Sequence, residues 1–250
     1  MELSLRQIAL VAAELGPVEA ALVDVFDVMP CHRDPAVAVY GLENVLLPFG
    51  QQFLEIVAPI RAATAAGRFL ERRAGDGGYM VITQCDDHEA RRARVAALGI
   101  RIAHEFQAEG FRNMQLHPRD TGGSFLEIDQ QLGDTRDWLP AGHAWRDHVR
   151  TARVRAIAAA EIQADDPQAL AARWAAILEL PVISTAGVFS IALANASLRF
   201  VPCIDGRPEG LAGLDIVTVD RAAIVAAAAA RDIVVHDWGF SIGGMRWHLL

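Results

Sequence analysis

The stretch GYMVITQCDDHEARRARVAALGI at 78–100 decides the fold, because it runs from an apolar strand pattern through two aspartates into a helical pattern. Aspartates such as Asp86 and Asp87 can cap the free amide groups at the start of a helix. Gly99 follows the last helical residue, a position where glycine commonly ends a helix. The stretch therefore predicts a strand that is joined by a short turn to a helix.

The same pattern occurs four times, which makes it a weak internal repeat. The other copies are RQIALVAAELGPVEAAL at 6–22, AAEIQADDPQALAARWAAIL at 159–178 and GLDIVTVDRAAIVAAAAARDI at 213–233. Each copy is followed by more strand-like sequence, so each unit is predicted to be strand–helix–strand–strand–strand. A unit of this size cannot bury its own sheet face. We therefore expect the units to combine in pairs, with a cleft between the paired sheets.

Alternation of apolar residues predicts the strands that follow these helices. They are expected at 36–41, 43–50, 52–59, 113–118, 124–129, 189–195, 198–203 and 245–250. The segment 69–77 is predicted to be a loop between the first two units. These features together predict an α+β protein.

Residues 130–150 interrupt the repeat without any sustained period and contain Trp138 and Trp145. Two tryptophans in a connector usually pack onto neighbouring elements, so we expect an ordered connector rather than a mobile linker. The predicted organisation is a first domain at 1–130, a connector at 131–152 and a second domain at 153–250.

Composition limits the partners of the chain. The net charge is −8 and 52% of residues are hydrophobic, which is ordinary for a soluble globular protein. The arginines near 91–94 are interpreted as a solvated helix face, so no nucleic acid is expected. No apolar run is long enough for a membrane span, and no signal-peptide layout is evident. Three widely spaced cysteines fit a cytoplasmic protein with reduced thiols.

Several stretches of the first half resemble the vicinal oxygen chelate superfamily. They are QIALVA at 7–12, FGQQFLEIVAP at 49–59, YMVITQCDD at 79–87 and LHPRDTGGSFLEID at 116–129. This superfamily includes glyoxalase I, methylmalonyl-CoA epimerase, extradiol dioxygenases and bleomycin-resistance proteins. The resemblance implies four βαβββ modules that are paired into two domains of this type.

The resemblance also implies a divalent metal inside the cup that two modules form, with ligands from the first and last strand of each module. The matching positions here are Gln7, Glu55, Met80 and Glu127, and the family usually has histidine where this chain has Gln7 and Met80. Gln7, Glu55 and Glu127 could supply oxygen ligands to Mg²⁺ or Mn²⁺, but they suit Zn²⁺ and Fe²⁺ poorly. The alternative is a cup without metal, in which Gln7 and Met80 contact the substrate.

Glu55 and Glu127 are candidate catalytic residues with or without a metal. Each lies between apolar residues in a strand pattern, so alternation would turn its side chain into the cup. Desolvation raises the pKa of such a carboxyl and suits it to general acid or base catalysis. The alternative is that one or both are partly solvated or paired with an arginine.

Four further side chains could serve the same cup. His117 ends a strand before Pro118 and could act as an acid or base, although binding to backbone is the commoner role for such a histidine. Tyr79 and His104 could point inward towards a substrate. Arg61 could anchor an anionic group or neutralise a nearby acid.

The second half departs further from the pattern. Its last-strand positions hold Arg199 and His248, and Leu214 falls at a first-strand position. Arginine cannot ligate a metal at ordinary pH. The second domain is therefore either a degenerate structural partner or a pocket that recognises anions.

These observations favour an isomerase, epimerase or lyase that abstracts a proton from a small carbonyl or carboxylate compound. A binding protein without turnover, of the bleomycin-resistance type, is the alternative, and a ring-cleaving dioxygenase is disfavoured by the missing histidines. The expected partner is a small-molecule substrate, and the chain is expected to be a monomer or a homodimer.

Overall fold

The computed structural model describes residues 2–122 and 124–250. The first half contains strands β1 Leu3–Val11, β2 Leu42–Phe49, β3 Gln52–Pro59, β4 Gly77–Cys85, β5 Ile102–Ala108, β6 Phe111–Leu116 and β7 Phe125–Gln131. Its helices are α1 Leu15–Phe26, α2 Ala65–Arg73, α3 His88–Ala97 and α4 Pro118–Thr121, with a 3₁₀ helix at Pro35–Tyr40. Two 3₁₀ turns, Leu139–Ala141 and Trp145–His148, lie in the connector.

The second half repeats this arrangement. Its strands are β8 Val154–Ala164, β9 Val182–Thr185, β10 Val188–Ala192, β11 Ser197–Pro202, β12 Gly210–Thr218, β13 Gly239–Ile242 and β14 Met245–Leu249. Its helices are α5 Pro167–Leu178 and α6 Arg221–Ala229. No helix of the described residues is long and apolar enough to cross a membrane.

Each half forms one seven-stranded sheet. The strand orders are β2-β3-β1-β4-β7-β6-β5 and β13-β14-β12-β8-β11-β10-β9. In the first sheet β1 is parallel to β3 and antiparallel to β4, and β4 is parallel to β7. The predicted α+β fold with two paired-module sheets is confirmed. In the first and fourth units, however, the strand after the helix is reduced to a single bridge, His32–Leu46 and His236–Gly239.

The helix-start signals are confirmed by the caps. The carboxylates of Asp87, Asp166 and Asp220 each accept a hydrogen bond from the backbone N–H three residues further on. Gly99 has a φ of 65° just past α3, a conformation that glycine adopts without a steric cost.

Two sequence predictions are wrong. Residues 36–41 form a 3₁₀ helix rather than a strand, because Pro35 presets its first turn and Asp34 caps the N–H of Ala36. Residues 69–77 begin inside α2 rather than in a loop, because the Thr64 side chain caps the N–H of Gly67 and starts a helix there.

Side-chain alternation gives the first sheet two different faces. One face carries residues such as Ile8, Ile56 and Leu126, which pack with helix α1 and the second sheet into one shared hydrophobic core. The connector covers one end of the opposite face, where the side chains of Trp138 and Trp145 are buried against Phe53 and Phe111. The prediction that these tryptophans pack is confirmed. The opposite face is concave and carries the candidate site.

Candidate functional site

A cavity of about 890 Å³ lies on the concave face of the first sheet, and all seven strands contribute to its lining. Its two ends are apolar. The connector closes one end with Trp138, while Tyr79, Phe125 and Val57 form the end next to α2. Between these ends lies a polar band, whose members are Gln7, Asn44, Glu55, Asn113, Gln115, Glu127 and Asp129.

Glu55 is held by two amide side chains. Gln7 donates to one carboxylate oxygen at 2.8 Å, and Asn44 donates to the other at 2.7 Å. The Gln7 oxygen in turn accepts a hydrogen bond of 2.7 Å from the indole N–H of Trp138. Indole nitrogen can only donate, so this contact fixes the orientation of the Gln7 amide. The result is a chain of hydrogen bonds that runs from the connector to the centre of the cavity.

Glu127 and Asp129 form a second group on the opposite side of the polar band. They lie two residues apart on β7 and therefore share one face. Gln115 donates to Glu127 at 3.3 Å and to the Met80 sulfur at 3.2 Å. Asn113 donates to Asp129 at 3.0 Å. Each carboxyl group is thus paired with an amide from the neighbouring strand β6.

The two carboxyl groups on β7 compete for a single proton. The pKa of Glu127 is raised to about 7, mainly by burial; the charge of Glu55 acts in the same direction, whereas the hydrogen bond with Asp129 acts against it. Burial and the charge of Glu127 raise the pKa of Asp129 well above its ordinary value. Two adjacent buried carboxylates cannot both ionise easily. The pair therefore carries about one proton near neutral pH.

Burial also raises the pKa of Glu55, although the hydrogen bonds from Asn44 and Gln7 act in the opposite direction. The charge of Asp34 adds to the rise. Glu55 thus adds a further buried carboxyl group to the cavity, on the side opposite the Glu127–Asp129 pair.

A divalent metal ion fits these side chains poorly. The Gln7 oxygen is turned to Trp138, and its NH₂ group, which cannot ligate a metal, faces Glu55. Both oxygens of Glu55 already accept hydrogen bonds, and the Met80 thioether is a soft ligand. Across the described residues, no group of three or more His, Cys, Asp or Glu is placed to hold a metal. The ligand set Gln7, Glu55 and Glu127 stays a prediction, and the orientation of Gln7 argues against it.

The structure brings six of the eight predicted site residues to the cavity. They are Gln7, Glu55, Tyr79, Met80, His104 and Glu127. His117 and Arg61 do not line it. His117 instead caps α4 by accepting a hydrogen bond from the N–H of Arg119. Arg61 is exposed and donates to the carbonyl oxygen of Val39 at 3.1 Å.

Sequence reasoning missed five polar members of the site. Alternation could have identified Asp129, because it follows Glu127 by two residues in the same strand. Asn113 and Gln115 alternate in the same way along β6. Asn44 and Trp138 carry no such signal, since their roles depend on which strand and which connector residue reach the cavity.

The second sheet carries a network of ion pairs instead of a polar band with free groups. Glu161 contacts Arg246 at 2.7 Å, Arg199 at 3.0 Å and His248 at 3.3 Å. Arg199 also binds both carboxylate oxygens of Asp215. The strand position named from sequence was wrong by one residue, because Leu214 is buried in the core and Asp215 faces the network. Since the arginines are matched by acids, this arrangement favours a structural role.

The fold and cavity define a protein of the vicinal oxygen chelate superfamily. A family model described as "Glyoxalase-like domain" matches residues 34–178. The chain belongs to this glyoxalase-like domain family. No curated protein matches it.

Solved structures share the fold at low sequence identity. A triple mutant of 4-hydroxymandelate synthase from Streptomyces coelicolor superposes with a TM-score of 0.72 and 16% identity, over 92% of this chain and 75% of that one. A Mn(II)-bound glyoxalase from Novosphingobium aromaticivorans gives 0.67 and 14%, over 98% and 81%. A hypothetical protein from Staphylococcus aureus gives 0.66 and 10%, over 100% of both chains.

Proposed function

We propose that this protein is an isomerase or lyase that moves a proton to and from a carbon atom of a small, apolar carbonyl compound bound in the first cavity. The observation that supports the proposal is Glu127, a buried carboxyl with a pKa of about 7 inside a largely apolar cavity. A catalytic base works best when its pKa lies near the operating pH. Glu127 meets that condition without a metal.

In the proposed reaction, the Glu127 carboxylate takes a proton from the carbon next to the carbonyl, and the electron pair moves onto the carbonyl oxygen as an enolate. The carboxyl proton of Asp129, no longer drawn to a charged Glu127, would then donate a hydrogen bond to that oxygen. Return of the proton to carbon completes an isomerisation, whereas loss of a leaving group completes a lyase reaction.

Glu55 has a positioning role in this proposal rather than a catalytic one. Both of its oxygens are engaged by Gln7 and Asn44, so it is a poor base for a substrate. Its charge raises the pKa of Glu127 across the cavity. The proposal therefore assigns proton transfer to one glutamate, not to both.

The lining favours a carbonyl compound over a carboxylate. Among the described residues that line the cavity, none is a lysine or an arginine. An anionic group would face four carboxyl groups, those of Asp34, Glu55, Glu127 and Asp129, with no cation to offset its desolvation.

A binding protein without turnover is the second candidate. The observation that favours it is that the amide nitrogens of Gln7, Asn44 and Gln115 are all directed at protein acceptors. The second domain is proposed to be structural in either case.

Exchange of solvent deuterium into a panel of apolar carbonyl compounds tests the proposal, with detection by mass spectrometry. We expect exchange with the wild-type protein and its loss in Glu127→Gln. The exposed Glu109→Gln is the matched control and should keep full exchange. Tight binding of a panel member without any exchange would favour the binding protein and reject the enzyme. The same assay with EDTA and with added Mn²⁺ should give equal rates.

A further inference from the structure

The polar band of the first cavity directs its amide and indole donors at protein acceptors and leaves one buried acceptor free. The amide nitrogen of Asn113 is directed at Asp129, and the indole nitrogen of Trp138 is directed at Gln7. In contrast, within the part of the chain that the structure describes, Asn113 Oδ1 is a buried atom that accepts no hydrogen bond.

This free acceptor belongs to a well-buried residue. Asn113 is 4% exposed and lines the cavity beside the Glu127–Asp129 pair. A buried polar atom without a partner costs about 1 to 3 kcal/mol. A ligand that brings N–H donors to this point would remove that cost, whereas a ligand that brings acceptor oxygens would add to it.

The charges around the cavity point to the same kind of ligand. Its carboxyl groups are not offset by any arginine or lysine among the described lining residues. Aromatic side chains, those of Phe106, Phe111 and Phe125, form much of its wall. Aromatic rings attract cations as well as apolar groups.

We propose that the cavity binds a molecule with an apolar or aromatic body and one cationic N–H group, an ammonium or an amidinium, seated between Asn113 Oδ1 and the Glu127–Asp129 pair. The claim that such a molecule is the substrate rests on the proposed function. The claim that the cavity binds the cation does not depend on it. It excludes carboxylates and phosphates as ligands.

The strand geometry places the cationic group beside the reacting carbon. Asn113 is bonded to Asp129, and Glu127 lies two residues away on the same face of β7. Two residues along a strand span about 7 Å. A carbon atom two or three bonds from the nitrogen would therefore reach Glu127. A positive charge at that distance also makes the C–H bond more acidic.

Binding of the cation should release a proton, because a positive charge favours the ionised form of the pair. The other titratable groups that line the cavity are Asp34 and Glu55, the two histidines His32 and His104, and the two tyrosines Tyr40 and Tyr79. Affinity is expected to rise with pH while the Glu127–Asp129 pair loses protons and the amine stays protonated.

Calorimetric titration with matched probes tests the proposal on the intact chain. A series of arylalkylamines of different chain length is compared with the arylalkanoates and arylalkanols of the same length. We expect binding of at least one amine, at least tenfold weaker binding of its alcohol and no binding of its carboxylate. Titration in two buffers of different ionisation enthalpy should show proton release. No binding by any amine, or a carboxylate that binds as tightly as its amine, would overturn the proposal.

Two variants then locate the site. Asn113→Leu removes the free acceptor, and Asp129→Asn removes the shared carboxyl. Each should weaken amine binding by tenfold or more, and Glu109→Gln should not. Unchanged amine binding in a folded Asp129→Asn protein would also overturn the proposal. If either variant fails to fold, the comparison of amine, alcohol and carboxylate binding to the wild-type protein still tests the proposal. Amine binding without deuterium exchange would reject only the enzyme, whereas exchange with uncharged compounds and no amine binding would reject only the cation site.

Discussion

At the scale of single residues, the proposed chemistry depends on which carboxyl group is free to react. Glu55 and Glu127 look alike in sequence, since both follow leucine and precede isoleucine. In the structure, Glu55 is held by Gln7 and Asn44, whereas Glu127 shares a proton with Asp129. Amides hold both oxygens of Glu55, whereas Gln115 holds only one oxygen of Glu127.

The first prediction concerns the pH dependence of exchange. Because the base must be ionised, kcat/KM for deuterium exchange should rise with pH, reach half its maximum near pH 7 and be constant above it. Glu55→Gln removes a charge that raises the pKa of Glu127, so the midpoint should move to lower pH. A midpoint that stays in place would contradict the role given to Glu55. Glu127→Gln should lower kcat/KM by about 100-fold or more.

The second prediction concerns stability. The pKa of Glu127 is raised in the folded protein, so its neutral form stabilises the fold at low pH and this stabilisation is lost as pH rises through about 7. Glu127→Gln, which stays neutral, should therefore raise the free energy of unfolding at pH 8 by on the order of 2 kcal/mol. The gain should vanish near pH 4. Urea unfolding at both pH values measures it, and an equal gain at pH 4 would refute the explanation.

At the scale of elements, the alternation of apolar residues predicted the strands that carry much of the site. It missed a 3₁₀ helix, which depends on a local cap, and a contact between residues that are far apart in the chain. The strands β3 and β7 could be identified from their apolar pattern, and this pattern turns Glu55 and Glu127 to the same side of the sheet. The 3₁₀ helix Pro35–Tyr40 could not be identified in this way, because its apolar residues resemble a strand pattern. Only the Asp34 cap distinguishes the helix from a strand. The contact of Trp138 with Gln7 spans 131 residues, which no local pattern reveals.

The third prediction tests that contact with a matched pair of tryptophans. Trp138 and Trp145 are equally buried at 1% exposure, but only the Trp138 indole has a hydrogen-bond partner within the described residues. Replacement by phenylalanine removes the same atoms from both. Trp138→Phe should cost about 1 to 3 kcal/mol more than Trp145→Phe, because it leaves the Gln7 oxygen unpaired. Thermal and urea unfolding measure the difference, and equal losses would mean that the hydrogen bond does not stabilise the fold.

At the scale of the whole molecule, the two sheets are built from the same repeat but differ in the face that carries the cavity. The first sheet surrounds a cavity, while the second fills the corresponding face with ion pairs around Glu161. Burial alone would raise the pKa of Glu161, but the hydrogen bond with His248 and the charges of Arg246 and Arg199 outweigh it and lower it to about 2. The sheets also share one hydrophobic core, which agrees with the structural role that we propose for the second sheet.

The fourth prediction follows from this difference between the two sheets. Glu161→Gln removes the acid that two largely buried arginines share; because Arg199 keeps Asp215 and Arg246 keeps Asp205, the loss of stability should be about 1 to 3 kcal/mol. Asp134→Asn breaks the exposed pair with Arg136 at 2.9 Å and should cost less than about 1 kcal/mol. Ligand binding in the first cavity should be unchanged at temperatures where the variant is folded. A loss of binding in folded Glu161→Gln would show that the second sheet contributes to the site.

The sequence by itself determined the repeat, the α+β fold, the starts of α3, α5 and α6 and the strand positions of Glu55 and Glu127, because periodicity and capping act between residues that are close along the chain. Only the tertiary structure decided how those positions work. Whether a glutamate is held or free depends on amides and an indole that distant strands and the connector bring to it. Likewise, whether a cavity accepts an anion or a cation depends on the charges and unpaired polar atoms that line it. These groups come together only when the strands have assembled into the sheet.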